Sequence, residues 1–201
     1  MKTIDEQLYH EGIENLQQSN IENAERLFRL ALSHNPNIYE YWNLLGLCLQ
    51  FQQKWAECDH AWREALRISP HSLDTRLNLG IANIALNRKS IAEEFWLEIL
   101  SQDNKHVRAL INLGLLYRER EENQKAHDLW QRAFDEMPSN QNLQEWLADV
   151  KGVLALSEIY LHRYDQAQKR LEEAIALDPN YAVLWGYLSE LHFQKRELKE
   201  A

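Results

Sequence analysis

Eight histidines, two cysteines and seven tryptophans are the side chains of this 201-residue chain whose types most invite a search for metal, redox or stacking chemistry. A metal site on a helix needs imidazoles four apart or thiolates at ligand spacing, because only then do the donor atoms converge on one ion. His10, His34, His60, His71, His106, His127, His162 and His192 show no such pairing. No glycine-rich phosphate loop and no Gly-x-Ser-x-Gly nucleophile turn occurs either. The sequence therefore offers no catalytic, cofactor-binding or metal-binding residue, and its histidines are expected at turns and on solvated faces. Cys48 and Cys58 both fall on apolar helical stripes, where small side chains are wanted, and read as packed free thiols. The tryptophans could form a stacking set for a ligand until their spacing is considered.

The elements that must position these residues are helices. In residues 39–70, Trp42, Leu45, Gly46 and Leu49 form one stripe at three-and-four spacing, and Cys58, Trp62 and Ala65 form a second. The run FQQKW separates the two, and Pro70 ends the second by removing a backbone N–H. The hairpin recurs. Gly12, Gly46, Gly80 and Gly114 are spaced 34 residues apart, as are Phe28, Trp62, Trp96 and Trp130. Pro36, Pro70 and Pro138 keep the same phase, with Asn104 at the skipped position. This pattern resembles the tetratricopeptide repeat (TPR) family, whose Trp-x2-Leu-Gly-x2-Tyr, Ala-x3-Phe and Pro positions are met by Trp42, Leu45, Gly46, Cys58, Trp62 and Pro70, and again by Leu113, Gly114, Tyr117, Ala126, Trp130 and Pro138. The resemblance implies an all-α fold, a right-handed superhelical solenoid of helix-turn-helix hairpins in which each unit packs only on its neighbours. Trp42, Trp62, Trp96, Trp130 and Trp185 then occupy repeat-packing sites.

Taken in order, the repeats cover about 5–38, 39–72, 73–106, 107–140, 141–181 and 182–201, a single solenoid over 1–201. Thr3 and Glu6 have capping-box spacing and start the first helix. Arg76 stands where an aromatic or leucine is usual and predicts a looser corner in the third repeat. Pro179 follows Pro138 by 41 residues, seven more than the period, and seven residues are two helical turns that do not rotate the buried face. One long helix is therefore expected from about Gln141 to about His162, projecting beyond its neighbours and carrying Trp146 as an exposed anchor. Its register is open between Leu154-Ala155 and Leu156-Ser157. The sixth repeat reaches Ala201 at the position of the first alanine of its second helix, which predicts either a longer native chain or self-association through the incomplete repeat.

Composition bounds the partners. With 45% hydrophobic and 26% charged residues the chain has the makings of a folded helical protein. Its net charge of −9, without a dense Lys/Arg run, argues against nucleic acid. No signal-peptide core or membrane-length apolar run is present, so the expected location is cytoplasmic, away from membranes. In TPR proteins the stacked first helices line a concave groove that holds another protein or peptide. The matching rows here are Ile13, Leu47, Ile81 and Leu115, and beside them Tyr9, Asn43, Leu77 and Ile111. Glu6, Glu40 and Asp74 form an acidic edge, with Arg108 and Arg118 as exceptions. Tyr9 and Ile13 stand where carboxylate-clamping modules place Lys and Asn, so an apolar or amphipathic segment is the expected ligand. The resulting reading is a non-enzymatic interaction scaffold. The alternative is the N-terminal substrate-recruiting arm of a larger enzyme, such as a glycosyl-, sulfo- or methyltransferase or a kinase.

Overall fold

The computed structural model describes residues 2–136 and 144–200, of which 144–146 and 197–200 are described by their backbone alone. Among these residues are eleven α-helices and no strand. They are α1 (Ile4–Gln17), α2 (Ile21–His34), α3 (Tyr39–Phe51), α4 (Trp55–Ile68), α5 (Leu73–Ala85), α6 (Lys89–Gln102), α7 (Val107–Glu119), α8 (Asn123–Asp135), α9 (Gln144–Tyr160), α10 (Tyr164–Leu177) and α11 (Ala182–Glu200). The chain divides into two compact units, Met1–Ile99 and Leu100–Ala201, and each is described by itself. In both, odd-numbered and following even-numbered helices pair as hairpins through three-residue turns.

The turns explain why the hairpins close where they do. Ser19, Gln53, Asn87, Glu121 and His162 all have positive φ, between 57° and 63°. After α1, the Ser19 N–H donates to the Leu16 carbonyl and the Asn20 N–H to the Asn15 carbonyl, at 3.0 and 2.8 Å. The same pair of bonds recurs after α3, α5, α7 and α9. This is a Schellman closure, which satisfies carbonyls at the helix end and tolerates a left-handed residue at a cost of about 1–2 kcal/mol when it is not glycine. The left-handed residue lies seven positions beyond Gly12, Gly46, Gly80 and Gly114. Counting back seven from His162 gives Ala155, which resolves the register of the fifth hairpin as Leu154-Ala155. At the N-terminus, Thr3 and Glu6 form the expected capping box.

Each of the first four hairpins is held by an aromatic ring laid against a glycine of its first helix. A Cβ placed on Gly46 would lie 2.3 Å from Trp62 Nε1, one on Gly80 2.1 Å from Trp96 Nε1, and one on Gly114 2.2 Å from Trp130 Nε1. Trp62 and Trp130 are fully buried. In the fifth hairpin Ala155 and Leu171, both fully buried in one cluster, replace the Gly and aromatic pair, so a larger first residue is matched by a smaller second one. Gly46→Ala is thus expected to destabilise the protein. Overpacking against an immobile ring costs about 1–3 kcal/mol, more than the roughly 0.5–1 kcal/mol that removing a mid-helix glycine returns. Gly186, in α11, has no neighbour within 4 Å of a built Cβ, so Gly186→Ala should stabilise by the second amount alone. Thermal melts of the two variants should move in opposite directions.

The structure bears on several of these expectations. The helix α9 is 17 residues long against 13 for α3, α5 and α7, while the expected start at Gln141 lies outside the described residues. The Trp146 side chain also lies outside them. Trp185 is 49% exposed and does not fill a wedge, because α11 runs to Glu200 through the positions where the other first helices turn, and no second helix folds back onto it among the described residues. Its indole keeps only a local tie, Nε1 to the Pro179 carbonyl at 3.0 Å, as Trp42 does to Pro36 at 2.8 Å. The Arg76 side chain is mostly buried and pairs with Glu98 at 3.1 Å, with its Nη1 left without a hydrogen-bond partner.

Candidate functional site

In the first unit the first helices α1, α3 and α5 carry Asp5, Glu6, Glu11, Glu14, Glu40 and Asp74 against a single cation, Arg76. In the second helices α2 and α4, arginines neutralise the acids of their own layer. Arg29 pairs with Glu25 and Glu57, Arg63 with Asp59 and Arg67 with Glu64, all within 3.0 Å. Glu25 is nearly buried, which by itself would raise its pKa, yet hydrogen bonds from Lys54, Arg29 and Gln52 hold it down at about 2. Glu6, Glu40 and Asp74 are exposed and have no ion-pair partner among the described residues, although Glu6 accepts the Thr3 N–H at 2.9 Å. Acids in a first helical turn also offset the helix dipole, worth about 0.3–1 kcal/mol each, so part of their placement is structural.

Seven residues along each helix from these acids stand Ile13, Leu47 and Ile81, each half-buried. Phe51, one turn beyond Leu47 on the same face of α3, is 70% exposed. The adjoining row behaves differently. Leu77 is fully buried, and Tyr9 packs on Tyr41 with ring centroids 5.1 Å apart. Asn43 is half-buried with its Oδ1 unpartnered. Leu77 is therefore interior, Tyr9 and Asn43 are half-buried like Ile13, Leu47 and Ile81, and Phe51 and the three acids are the exposed members of the strip. Phe51 escapes a reading by repeat pattern because it lies at the frayed edge of the stripe, just before the polar turn.

In the second unit, Ile111 is buried, Arg118 is half-buried with an unpartnered Nε, Leu115 is 37% exposed and Arg108 is exposed. Here the charge at the edge is reversed.

The histidines are exposed as expected except two. His106 caps α7, its Nδ1 accepting the Ala109 N–H at 3.2 Å. His127, on α8, sits in a polar cleft of about 360 Å³ with Gln131, Glu158, Gln166, Lys169, Arg170 and Glu173. Its Nδ1 is 2.8 Å from Ser157 Oγ, and Glu158 is adjacent, which superficially assembles the residue types of a serine hydrolase. The proton directions argue otherwise. Ser157 is buried and donates to the Leu154 carbonyl at 2.6 Å, so His127 donates to it through Nδ1, and Arg163 donates to His127 Nε2 at 3.3 Å. Glu158 is held by Arg170 at 2.8 Å, while the imidazole is hydrogen-bonded to Ser157 and Arg163. A nucleophile needs its own proton taken by the base, and here the serine is the acceptor. The group is a neutral-histidine bridge between α8 and α9, invisible in sequence because Ser157 is 30 residues away.

Burial, and then the positive charge of Arg163, push the His127 pKa below its ordinary 6.5. The unfolded chain therefore takes up a proton near pH 6.5 that the folded chain refuses. The stabilisation is complete above that value and is lost as pH falls through the folded pKa. Melting temperatures measured from about pH 7.5 down to about pH 5.5 should fall more for the wild type than for His127→Asn. Parallel curves would show that His127 is not the titrating group.

Both cysteines are buried free thiols whose pKa burial pushes up to about 12, so they are inert at neutral pH. No cluster of three metal-ligating side chains and no membrane-length apolar helix occurs among the described residues.

Comparison with known proteins agrees with this geometry. Residues 159–201 match the family model described as tetratricopeptide repeat. Among solved structures, the Cut9–Hcn1 hetero-tetramer of the APC/C superposes with a TM-score of 0.83 at 19% identity, over 96% of this chain and 37% of that one. A tetratricopeptide repeat protein from Parabacteroides merdae gives 0.78 at 18%, over 95% and 73%. YrrB, titled a TPR protein with an unusual peptide-binding site, gives 0.65 at 14%, over 90% of each chain. With its in-phase glycine and aromatic pairs, this chain has the all-α solenoid fold of these tetratricopeptide repeat proteins. Among curated sequences it is 26% identical over 195 residues to the Homo sapiens protein O-mannosyl-transferase TMTC3, covering 90% of this chain and 20% of that protein. The Mus musculus protein of the same name is 26% identical over 191 residues, with 88% and 20% covered. The chain thus spans about a fifth of the length of these relatives.

Proposed function

We propose that this chain is a protein-binding module without catalytic activity of its own, and that its first unit holds an apolar or amphipathic segment with basic flanks. The observation that carries the reading is one strip. Half-buried aliphatics and the exposed Phe51 ring share the first helices with three exposed acids that have no ion-pair partner among the described residues. Desolvating the aliphatic floor supplies affinity, and the acids supply orientation and a faster encounter. The free buried thiols fit a reducing, cytoplasmic setting. Val183, Trp185 and Phe193, exposed on α11, support contact with a second copy or another chain at that end. The match to O-mannosyl-transferases supports a second reading, a substrate-recruiting arm of a larger enzyme, which uses the same strip for the same purpose.

The test is selection from a displayed random-peptide library on the purified protein, followed by affinity measurement of the enriched peptides. Enrichment of apolar segments with Lys or Arg is expected. Phe51→Ala, which removes an exposed ring with little effect on stability, should weaken binding about tenfold. Leu47→Asp should abolish it by placing an unpaired charge under the ligand, with helical content checked by circular dichroism. Peptides that bind both variants unchanged would remove the strip from consideration.

A further inference from the structure

We propose that the second unit has a recognition point of its own for a carboxylate, where Arg118 and the hydroxyls of Tyr160 and Tyr187 hold an acidic group of an otherwise apolar protein segment. This rests on the reading of the chain as a protein-binding module, but not on the strip of the first unit. The observation that carries it is a cation without an anion. Arg118 is half-buried, its Nε is closed off from solvent, and it has no hydrogen-bond or ion-pair partner among the described residues. Elsewhere the fold finds acids for its arginines. Arg29, Arg63, Arg67, Arg76 and Arg170 each lie within 3.1 Å of a carboxylate oxygen. Acids are plentiful, 31 against 22 bases, so stability alone does not account for a half-buried arginine left unpaired. A charged donor shielded from water and lacking an acceptor raises the energy of the free protein, and a ligand that supplies the acceptor recovers it on binding.

The surroundings define that acceptor. On α7, Leu115 is 37% exposed and lies three residues before Arg118, on the same face. On α11, the Tyr187 ring packs with Ala155 and Ile159 of α9 and over Gly152, where a built Cβ would lie 3.4 Å from Tyr187 Cε2. Tyr160, the last residue of α9, is 38% exposed. Neither phenol hydroxyl has a hydrogen-bond partner among the described residues. Arg118 and Tyr160 both lie near Tyr187: burial and then the Asp149 charge raise the Tyr187 pKa, the Arg118 charge opposes the rise, and Tyr160 adds to it. Donors from α7, α9 and α11 are thus gathered beside an exposed leucine. Asp149 does not serve as the missing anion, because it accepts the Tyr181 hydroxyl at 3.0 Å and burial pushes its pKa up, which favours the neutral acid. One guanidinium balances one negative charge, and its planar fork matches a carboxylate. A phosphate dianion calls for a second cation. Arg108, the other arginine of α7, is ten residues and about 15 Å along the helix, and Arg120 lies over the Tyr117 ring, 6.0 Å from its centre.

The experiment measures retention of short synthetic peptides on the immobilised full chain. The flanks are random in Leu, Phe, Ala and Ser, the C-terminus is amidated, and the central residue is Glu, Gln or phosphoserine in three separate pools. A fourth pool has a central Gln and a free C-terminal carboxylate. The Glu pool should be retained at least about tenfold more than the Gln pool, although the net charge of −9 repels it at long range. That preference should vanish in Arg118→Gln, fall severalfold in Tyr187→Phe, and persist in Phe51→Ala. Retention of the fourth pool to the level of the Glu pool, lost in Arg118→Gln, would support the site and assign the carboxylate to a chain end instead of a side chain. Equal retention of Glu and Gln pools, or a preference untouched by both Arg118→Gln and Tyr187→Phe, overturns the inference. Phosphoserine retained well above Glu overturns the assignment to a carboxylate. A Glu preference lost in Phe51→Ala but kept in Arg118→Gln sinks this site and leaves the first unit's strip as the binding surface, whereas the reverse pattern stands even if the strip fails its own test.

Discussion

Trp130→Ala is expected to lower the unfolding free energy by about 3–5 kcal/mol, the usual range for emptying a buried aromatic site. The indole is fully buried, lies against Gly114, and donates Nε1–H to the Ile111 carbonyl at 3.0 Å. Removing it leaves a cavity that Gly114 cannot fill. The equivalent ring in the second hairpin provides an internal control. Trp62 is as buried as Trp130, but its Nε1 has no hydrogen-bond partner. A buried unpaired donor costs about 1–3 kcal/mol, so Trp62→Phe should be close to neutral, cavity loss being offset by removal of the orphan N–H. Trp130→Phe loses both volume and a bond and should be clearly destabilising. Denaturant melts of the two Phe variants decide the point, and equal losses would refute the role assigned to the donor.

Arg170→Met is expected to cost a similar amount, about 3–5 kcal/mol, for a different reason. Glu158 is 2% exposed and receives both forks of the Arg170 guanidinium, at 2.8 to 3.2 Å. The guanidinium also lies 5.7 Å from the centre of the Phe134 ring, on which Lys151 approaches as well. Taking away the cation strands a nearly buried carboxylate at the wall of the polar cleft. The loss should be largely recovered in Arg170→Met/Glu158→Gln, because replacing both charges removes the desolvation penalty together with the attraction. A double variant as unstable as the single one would mean that Arg170 acts through packing alone.

The parts of the molecule that could be read from residue types are those set by a long period. Gly46 with Trp62, and Gly114 with Trp130, recur 34 residues apart because each hairpin solves the same contact problem. Helical spacing also placed Ile13, Leu47 and Ile81 on one face. It could not say how far a face is covered by its neighbour, and so Leu77 and Ile111 joined the candidate site although both are buried. Trp185 illustrates the converse. It holds the same position as Trp42, yet packing depends on a partner helix, and α11 continues straight where the others turn. The His127 bridge depends on a contact across 30 residues and on which atom carries the proton, neither of which a periodic pattern encodes.

The central claim is that the first unit's strip is the binding surface. Methyl and aromatic NMR spectra of the protein, recorded with and without a peptide selected as described above, test it most directly. The account predicts shifts at the Ile13, Leu47 and Ile81 methyls and the Phe51 ring, with the buried Leu77 and Ile99 methyls unmoved. Shifts confined to α9, α10 and α11, with the Leu47 and Phe51 signals unchanged at saturation, would contradict it.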